Sequence, residues 1–387
     1  MDFILITTSK TFDIANQRQI VGGVQTYTRD LCLLAMERGY HAVMYQIDEA
    51  QMEAEADFDG IEFHIVHKTS KSNQAAFNKI YQEKNAEDSL FVIATDQMDI
   101  KTQAKNVIVI QHGIAFDCPI DQGIWSQTRF LQHLNKTIRC FKNVRRLYMC
   151  RNTVCVDYNY YNWFRTLGTI YPEKRVKVIP NYSRGCISQV EFNDKIKNRS
   201  REKKIKVVFA RRFCSYRGAL IFANCVDRLL PCFRNVDFTF AGDGDLKEKL
   251  IKRFKGNPRV AITSYGASES IDFHKKYDIA IVPTVFSEGT SLSLLEAMSA
   301  GCFPIATHVG GMTNIVLDHY NGLLCSPDED GVYNALVEAI SMKSSEFDKI
   351  CFNAYESAKN AFSMNQWKIR WSQFMDEVYG DSVKRDN

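Results

Sequence analysis

The chain has 387 residues, which at about 100–200 residues per domain suits two domains. Hydrophobic residues make up 45% and charged residues 24% of it, values that exclude a disordered or fibrous protein. Forty-nine Lys and Arg against 45 Asp and Glu leave a net charge of +4, too little to mark a nucleic-acid binder.

The N-terminus, MDFILITTSK, has an acid at position 2 and a short apolar run. That is neither the basic region nor the apolar region of a signal peptide, and no window reaches the ~20 apolar residues of a membrane span. Phe3–Thr8 is predicted as the first strand, followed by a polar loop to Gly22-Gly23 and a helix from Val24 to Arg38 that Gly39 stops. His41–Gln46 is the next strand, so the opening is a strand–helix–strand unit of a parallel sheet. Apolar runs recur at Leu90–Ala94, Val107–Ile110, Thr153–Val156 and Val176–Ile179. The first half therefore reads as a doubly wound α/β domain, residues 1–183.

Residues 184–204 are polar, highly charged and without steady period, and are expected to be a linker. The alternation then restarts across 205–365. Strands are predicted at Lys206–Ala210, Asp237–Ala241, Val260–Thr263, Ile279–Pro283 and Pro304–Thr307, and helices at Ala219–Leu230, Leu246–Phe254 and Leu292–Ala300. A helical tail, with 366–387 expected to cross back to the first domain, ends the chain. The fold class is α/β, two Rossmann-like domains with parallel sheets. Twelve cysteines are scattered singly with no C-x-x-C spacing, which reads as buried free thiols in a reducing, cytoplasmic setting without structural zinc.

The segment Val282–Val316, VPTVFSEGTSLSLLEAMSAGCFPIATHVGGMTNIV, carries the most chemistry. A strand ends at Pro283, a loop holds Glu288-Gly289-Thr290-Ser291, and a helix opens at Leu292. Amides near Thr290, Ser291 and Leu292 point outward at the helix start, where the dipole favours an anion. Glu296 lies eight residues beyond Glu288, about two turns into the helix. An ordinary capped helix with solvated carboxylates is the bland alternative for either glutamate alone. Upstream, Phe209-Ala210-Arg211-Arg212-Phe213-Cys214-Ser215-Tyr216-Arg217-Gly218 follows the predicted strand Lys206–Ala210 with three arginines in one short loop.

Together these segments resemble the retaining glycosyltransferases of family four. Glu288 and Glu296 fit the E-x7-E motif, Gly310-Gly311 the glycine pair that follows, and Arg212 and Arg217 the arginine and lysine of the G-R-L-x-x-x-K-G loop. Three departures stand out: Arg211 replaces the loop's usual glycine, Arg217 its usual lysine, which keeps the charge but as a planar fork, and Ser291 stands where many relatives have glycine. The resemblance implies the GT-B fold, two Rossmann-like domains facing across a cleft, with no essential metal and no cofactor besides the nucleotide-sugar substrate. It implies Glu288 at the donor sugar, Glu296 at the ribose, and Arg212 and Arg217 at the diphosphate, whose developing charge cations stabilise. Gly242 in the turn Ala241–Asp245 and Tyr265 in Ser264–Gly266 are implied to line the nucleotide side, Gly22 and Gly23 the donor phosphate, and His112 the transferred sugar. Asp117 and Asp157 are weaker candidates for the acceptor side.

The expected partners are a nucleotide-sugar donor and a saccharide or lipid-linked saccharide acceptor, with no nucleic acid. Asp57-Phe-Asp59 and Asp243-Gly-Asp245 match an aspartate-x-aspartate metal motif only formally: the first sits in an acidic surface stretch, the second in a turn. From Gln122 to Val156 there are seven basic residues (Arg129, Lys136, Arg139, Lys142, Arg145, Arg146, Arg151) and no acid, with Leu131, Leu134, Ile138, Phe141 and Tyr148 at helical spacing. Two readings stand open for 129–151: peripheral contact with an anionic membrane at its inner face, or a core-facing stripe with a solvated basic side. The aromatic run Tyr158–Phe164 reads more readily as core than as a sugar platform. Two functional alternatives remain, a nucleotide-sugar epimerase of the same fold and a non-enzymatic anionic-surface binding protein.

Overall fold

The computed structural model describes residues 1–13, 18–20, 22–49, 54–68, 72–84, 89–113, 128–146, 148–167, 175–199, 204–286 and 288–383. They form two compact units. The first gathers the described residues within 1–112, 119–179 and 368–387, the second those within 113–118 and 180–367.

The first unit is built on strands β1 (Asp2–Thr7), β4 (His41–Asp48), β5 (Ala54–Phe58), β6 (Ile61–His67), β7 (Ser89–Ile93), β8 (Val107–Gln111), β9 (Asn152–Cys155) and β10 (Arg175–Val178), with the two-residue strands β2 (Phe12–Asp13) and β3 (Arg18–Gln19) paired apart from them. The sheet order is β10-β9-β8-β7-β1-β4-β6-β5, parallel throughout except for the edge pair β5–β6. β1 pairs with β4 as Phe3 to Ala42, and the helix Gly23–Glu37 connects them, as the strand–helix–strand pattern requires. Ile4, Ile6, Val43, Phe91, Ile93, Val107 and Val109 share one core, because a parallel sheet covered on both faces reads as continuous apolar runs.

The antiparallel edge β5–β6 is a departure from the sequence reading, which left that stretch without strands. Its turn, Asp59-Gly60, adopts φ of 56° and 76°, the left-handed pair that closes a tight hairpin. Asp59 pairs with Arg29 at 2.7 Å and Asp57 Oδ1 accepts from the Gly60 amide. These two carboxylates thus brace a turn.

The second unit has six parallel strands, β11 (Ile205–Ala210), β12 (Val236–Ala241), β13 (Val260–Thr263), β14 (Ile279–Val282), β15 (Phe303–Thr307) and β16 (Leu323–Cys325), in the order β13-β12-β11-β14-β15-β16. This is the 3-2-1-4-5-6 arrangement of a Rossmann sheet. Its core joins Val207, Phe209, Phe222, Phe240, Ile281 and Ile305.

Residues 184–204 need correcting as a linker. They contain the helix Gln189–Arg199, and Phe192 on it is buried in the second unit's core, stacked on Tyr355 at 4.8 Å. One buried aromatic among exposed charges gives too weak a period to announce an amphipathic helix. The helix Met364–Val383 contributes residues to both units. Trp367 packs on Tyr182 at 4.5 Å in the second, while Trp371 Nε1 donates to the buried Tyr27 hydroxyl at 2.7 Å in the first.

The basic segment forms the helix Arg129–Arg146, which buries Asn135, Cys140 and Val144. The core-facing reading holds for only part of the stripe: Leu131 and Tyr148 are half-buried, whereas Leu134 is 40%, Ile138 50% and Phe141 50% exposed, and Phe130 beside them is 74% exposed. In the helix Tyr158–Leu167, Tyr160 and Phe164 are buried while Tyr158 and Trp163 are exposed, so that run is core on one side only. All described cysteines are free thiols. No described helix is long and apolar enough to cross a membrane.

Candidate functional site

In an open parallel sheet the ligand crevice lies beyond the strands' carboxyl ends, where the strand order reverses. In the second unit that point falls between the neighbours β11 and β14. β11 runs out into the basic loop, beginning at Arg211, and β14 into Pro283, Thr284 and the loop of Glu288.

These two loops meet. Arg211 Nη2 donates to Glu288 Oε2 at 2.6 Å, and Arg217 Nη1 donates to the same oxygen. Thr284 Oγ1 accepts from Arg211 and donates to Glu288 Oε2 at 3.0 Å. Burial pushes the Glu288 carboxyl upward, but Arg211 and Arg217 outweigh it and hold the group below its ordinary range. Glu288 is thus a buried carboxylate flanked by two cations. Its neighbour in the motif loop, Arg212, is exposed and stands outside this network.

Glycine makes the approach possible. Gly218 closes the basic loop at φ 81°, and a Cβ there would lie 1.9 Å from the Pro283 carbonyl oxygen. Gly310, at φ 53°, lies so near that a Cβ would be 1.9 Å from the Glu288 carbonyl oxygen, while the Gly311 amide donates to that same oxygen at 3.0 Å. Gly242 packs likewise against the backbone of Arg211, where a Cβ would come within 2.1 Å of the carbonyl oxygen. Asp243 in the same turn accepts from the Gly244 amide.

The helix Leu292–Ser299 starts beside this cluster. Its N-cap Ser291 makes no side-chain cap and faces Ser293 Oγ at 3.3 Å. The first-turn amides, beginning with Leu292, are therefore left for an anion. Thr290 is occupied structurally, with Oγ1 accepting from the Asn181 amide at 2.8 Å and its carbonyl from Asn181 Nδ2 at 2.6 Å. Further along, Glu296 Oε2 accepts from Ser270 Oγ at 2.6 Å. Burial pushes its carboxyl up to about 7, against the Ser270 hydrogen bond. Tyr265 stacks on Phe273 with ring centroids 4.3 Å apart, forming a half-buried aromatic wall near Glu296.

In the first unit His112 follows β8, with Nε2 2.8 Å from the Ala94 carbonyl oxygen and its ring edge-on to Tyr27. The carbonyl partner fixes the tautomer with the proton on Nε2, and burial pushes the imidazole down to about 4. A neutral ring with Nδ1 as acceptor results. Gly22 is the extended N-cap of the helix Gly23–Glu37, which receives no side-chain cap. Asp157 caps the helix Tyr158–Leu167, accepting from the amides of Asn159 and Tyr160. Asp117 lies outside the described residues.

Among the described residues the structure joins Glu288 with Arg217, and both with two residues that sequence reasoning missed, Arg211 and Thr284. Arg211 did leave a signal, as the departure from the motif's glycine; Thr284 and Ser270 left none, because their partners Arg211 and Glu296 lie far from them in sequence.

Residues 204–342 match the family described as Glycosyl transferases group 1. The uncharacterized glycosyltransferase MJ1178 of Methanocaldococcus jannaschii is 36% identical over 112 residues, covering 28% of this chain and 32% of that one. Across the curated relatives the match spans 16% to 57% of their own lengths. Sucrose-phosphate synthase from Thermosynechococcus elongatus superposes with a TM-score of 0.72 at 13% identity, over 98% of this chain and 100% of that one. Anabaena HepE in complex with UDP-glucose gives 0.64 at 16% identity, over 97% and 99%. The fold is GT-B, and residues 204–342 are similar to the glycosyl transferases group 1 family.

Proposed function

We propose that this protein is a retaining glycosyltransferase that moves a hexose-type sugar from a nucleotide-diphosphate donor to a hydroxyl acceptor. The observation that carries the reading is the Arg217–Glu288 pair at the switch point of the second sheet, beside an uncapped helix start. A diphosphate has the charge for Arg217, for the exposed Arg212 and for the amides at Leu292, and Glu296 with Ser270 suits vicinal ribose hydroxyls. HepE, which binds UDP-glucose, supports a nucleotide sugar as the ligand class.

In the reaction the bond between the anomeric carbon and the leaving phosphate oxygen breaks while the acceptor oxygen bonds to that carbon on the same face. The acceptor proton passes to the departing phosphate. Glu288 orients the donor sugar, and neutral His112 accepts a sugar hydroxyl through Nδ1. Arg217 and Arg212 stabilise the charge that develops on the diphosphate.

The acceptor is assigned to surface polysaccharide or lipid-linked glycan assembly. The helix Arg129–Arg146 supports an anionic membrane as its setting, since its apolar residues Phe130, Leu134, Ile138 and Phe141 are exposed among basic neighbours.

The test is a donor screen with UDP-, GDP-, ADP- and dTDP-sugars, read by thermal shift and by nucleotide-diphosphate release. Ligand binding stabilises the fold as RT ln(1 + [L]/Kd). A shift with one donor that Glu296→Ala and Arg217→Ala abolish is expected. No shift with any donor would sink the reading.

A further inference from the structure

In the family's loop pattern the position of Arg211 is a glycine, which has no side chain to offer. Here it carries a guanidinium whose side chain is only 8% exposed, against 25% for Arg217. Both reach one oxygen, Oε2 of Glu288, yet their circumstances differ. Arg211 is sealed in and spans two partners, Thr284 at the end of β14 and Glu288 beyond it. Arg217 lies over the exposed Tyr216 ring, 5.0 Å from its centroid, within reach of solvent.

We propose that Arg211 is a positioning residue for Glu288. It fixes that carboxylate from behind so that Arg217 can leave Glu288 for an incoming phosphate. The assignment of that phosphate to a nucleotide diphosphate rests on the function proposed above.

Charge explains why two cations are needed. A buried carboxylate with no cation takes up a proton or demands a partner. With Arg217 as its only cation, Glu288 would be stranded whenever a ligand drew that arginine off. Arg211, out of a ligand's reach, keeps the carboxylate ionised through the exchange. With two guanidinium groups and one carboxylate, the cluster also keeps a net positive charge. Burial raises the Glu288 carboxyl and the two arginines lower it further than burial raises it.

Other groups face the cluster. Cys214 and Tyr216 lie beside Arg217, Cys214 also beside Arg211, Tyr265 faces Arg211 from the segment after β13, and Thr284 and the Gly311 amide contact Glu288. Glu288 is the one acid in ion pair with either arginine among the described residues.

The experiment is a pH titration of the glutamate carboxyl carbons in selectively 13C-labelled full-length protein. The Glu288 resonance is assigned by its loss in Glu288→Gln. In wild type its midpoint should fall below the ordinary glutamate value. In Arg211→Met it should rise by at least about one pH unit, and in Arg211→Lys by less than about half a unit. Arg211→Gln, neutral but polar, repeats the measurement if the methionine variant does not fold.

Calorimetry with UDP, GDP and ADP supplies the second readout. Arg217→Met should weaken the bound diphosphate at least about tenfold, and Arg211→Met less than about threefold. An unmoved Glu288 titration in both neutral variants would overturn the proposal. So would a loss of diphosphate binding in Arg211→Met equal to that in Arg217→Met, which would make Arg211 a phosphate ligand instead. If none of the three diphosphates binds wild type and dTDP-sugars give no thermal shift, the transferase reading fails, while the titration still decides whether Arg211 positions Glu288.

Discussion

Ser270 Oγ donates to Glu296 Oε2 at 2.6 Å, joining the helix Ser270–His274 to the helix Leu292–Ser299 through a single buried hydroxyl. The bond stabilises the carboxylate, but burial opposes it more strongly and moves the carboxyl from 4.5 to about 7.

The folded protein therefore holds a proton on Glu296 that the unfolded chain has released between about pH 4.5 and 7. Stability falls as pH rises through that window. Glu296→Gln removes the penalty and should stabilise the protein at pH 8 by on the order of 1 kcal/mol, while weakening nucleotide-diphosphate binding. Wild-type nucleotide binding should strengthen from pH 6 to pH 8 as the carboxylate forms. Parallel Tm-against-pH curves for wild type and Glu296→Gln would contradict this assignment.

His112 runs the other way. Its imidazole is held down to about 4, from 6.5, by burial. Between those values the unfolded chain binds a proton that the folded one rejects, so stability is lost as pH falls below about 6.5. His112→Asn should flatten that part of the stability profile and lower transfer about a hundredfold, with nucleotide-diphosphate affinity unchanged. Calorimetry beside steady-state kinetics separates the two effects, and a lost affinity with intact turnover would remove His112 from the sugar side.

Gly310→Ala tests the contact behind Glu288. Both its positive φ and the Glu288 carbonyl oxygen forbid a methyl group there. A loss of about 1–3 kcal/mol is expected, together with weakened diphosphate binding. Gly256→Ala is the control: φ is 79° but nothing lies within 4 Å, so it should cost about 1 kcal/mol and leave binding intact. Equal binding in both variants would show that the close approach is irrelevant to the site.

The helix Arg129–Arg146 predicts sedimentation with vesicles. Binding to bilayers containing anionic phospholipid should exceed binding to neutral ones and weaken with salt. Ile138→Ser with Phe141→Ser should reduce it at least about tenfold, without lowering Tm, since both side chains are half exposed. Retained binding in that double variant would assign the surface another role.

The sequence alone located most of the parallel strands along the chain, but not the β5–β6 hairpin, β16 or the helix Gln189–Arg199. Fully buried parallel strands are continuous apolar runs, and glycines mark where a loop must approach another backbone. It also located the Glu288–Glu296 segment, because an eight-residue interval on one chain is local information. Tertiary structure decided what depends on distant partners. Which arginine meets Glu288 depends on how β11 lies beside β14, and neighbouring side chains leave a strand end in opposite directions; hence Arg211 is sealed in while Arg212 is exposed. Phe192 turned a charged stretch into a docked helix because a single aromatic found a hydrophobic core. The apolar stripe of Arg129–Arg146 looks the same in sequence whether it faces core or solvent. Only the packing of Asn135, Cys140 and Val144 inward set Phe130, Leu134, Ile138 and Phe141 outside.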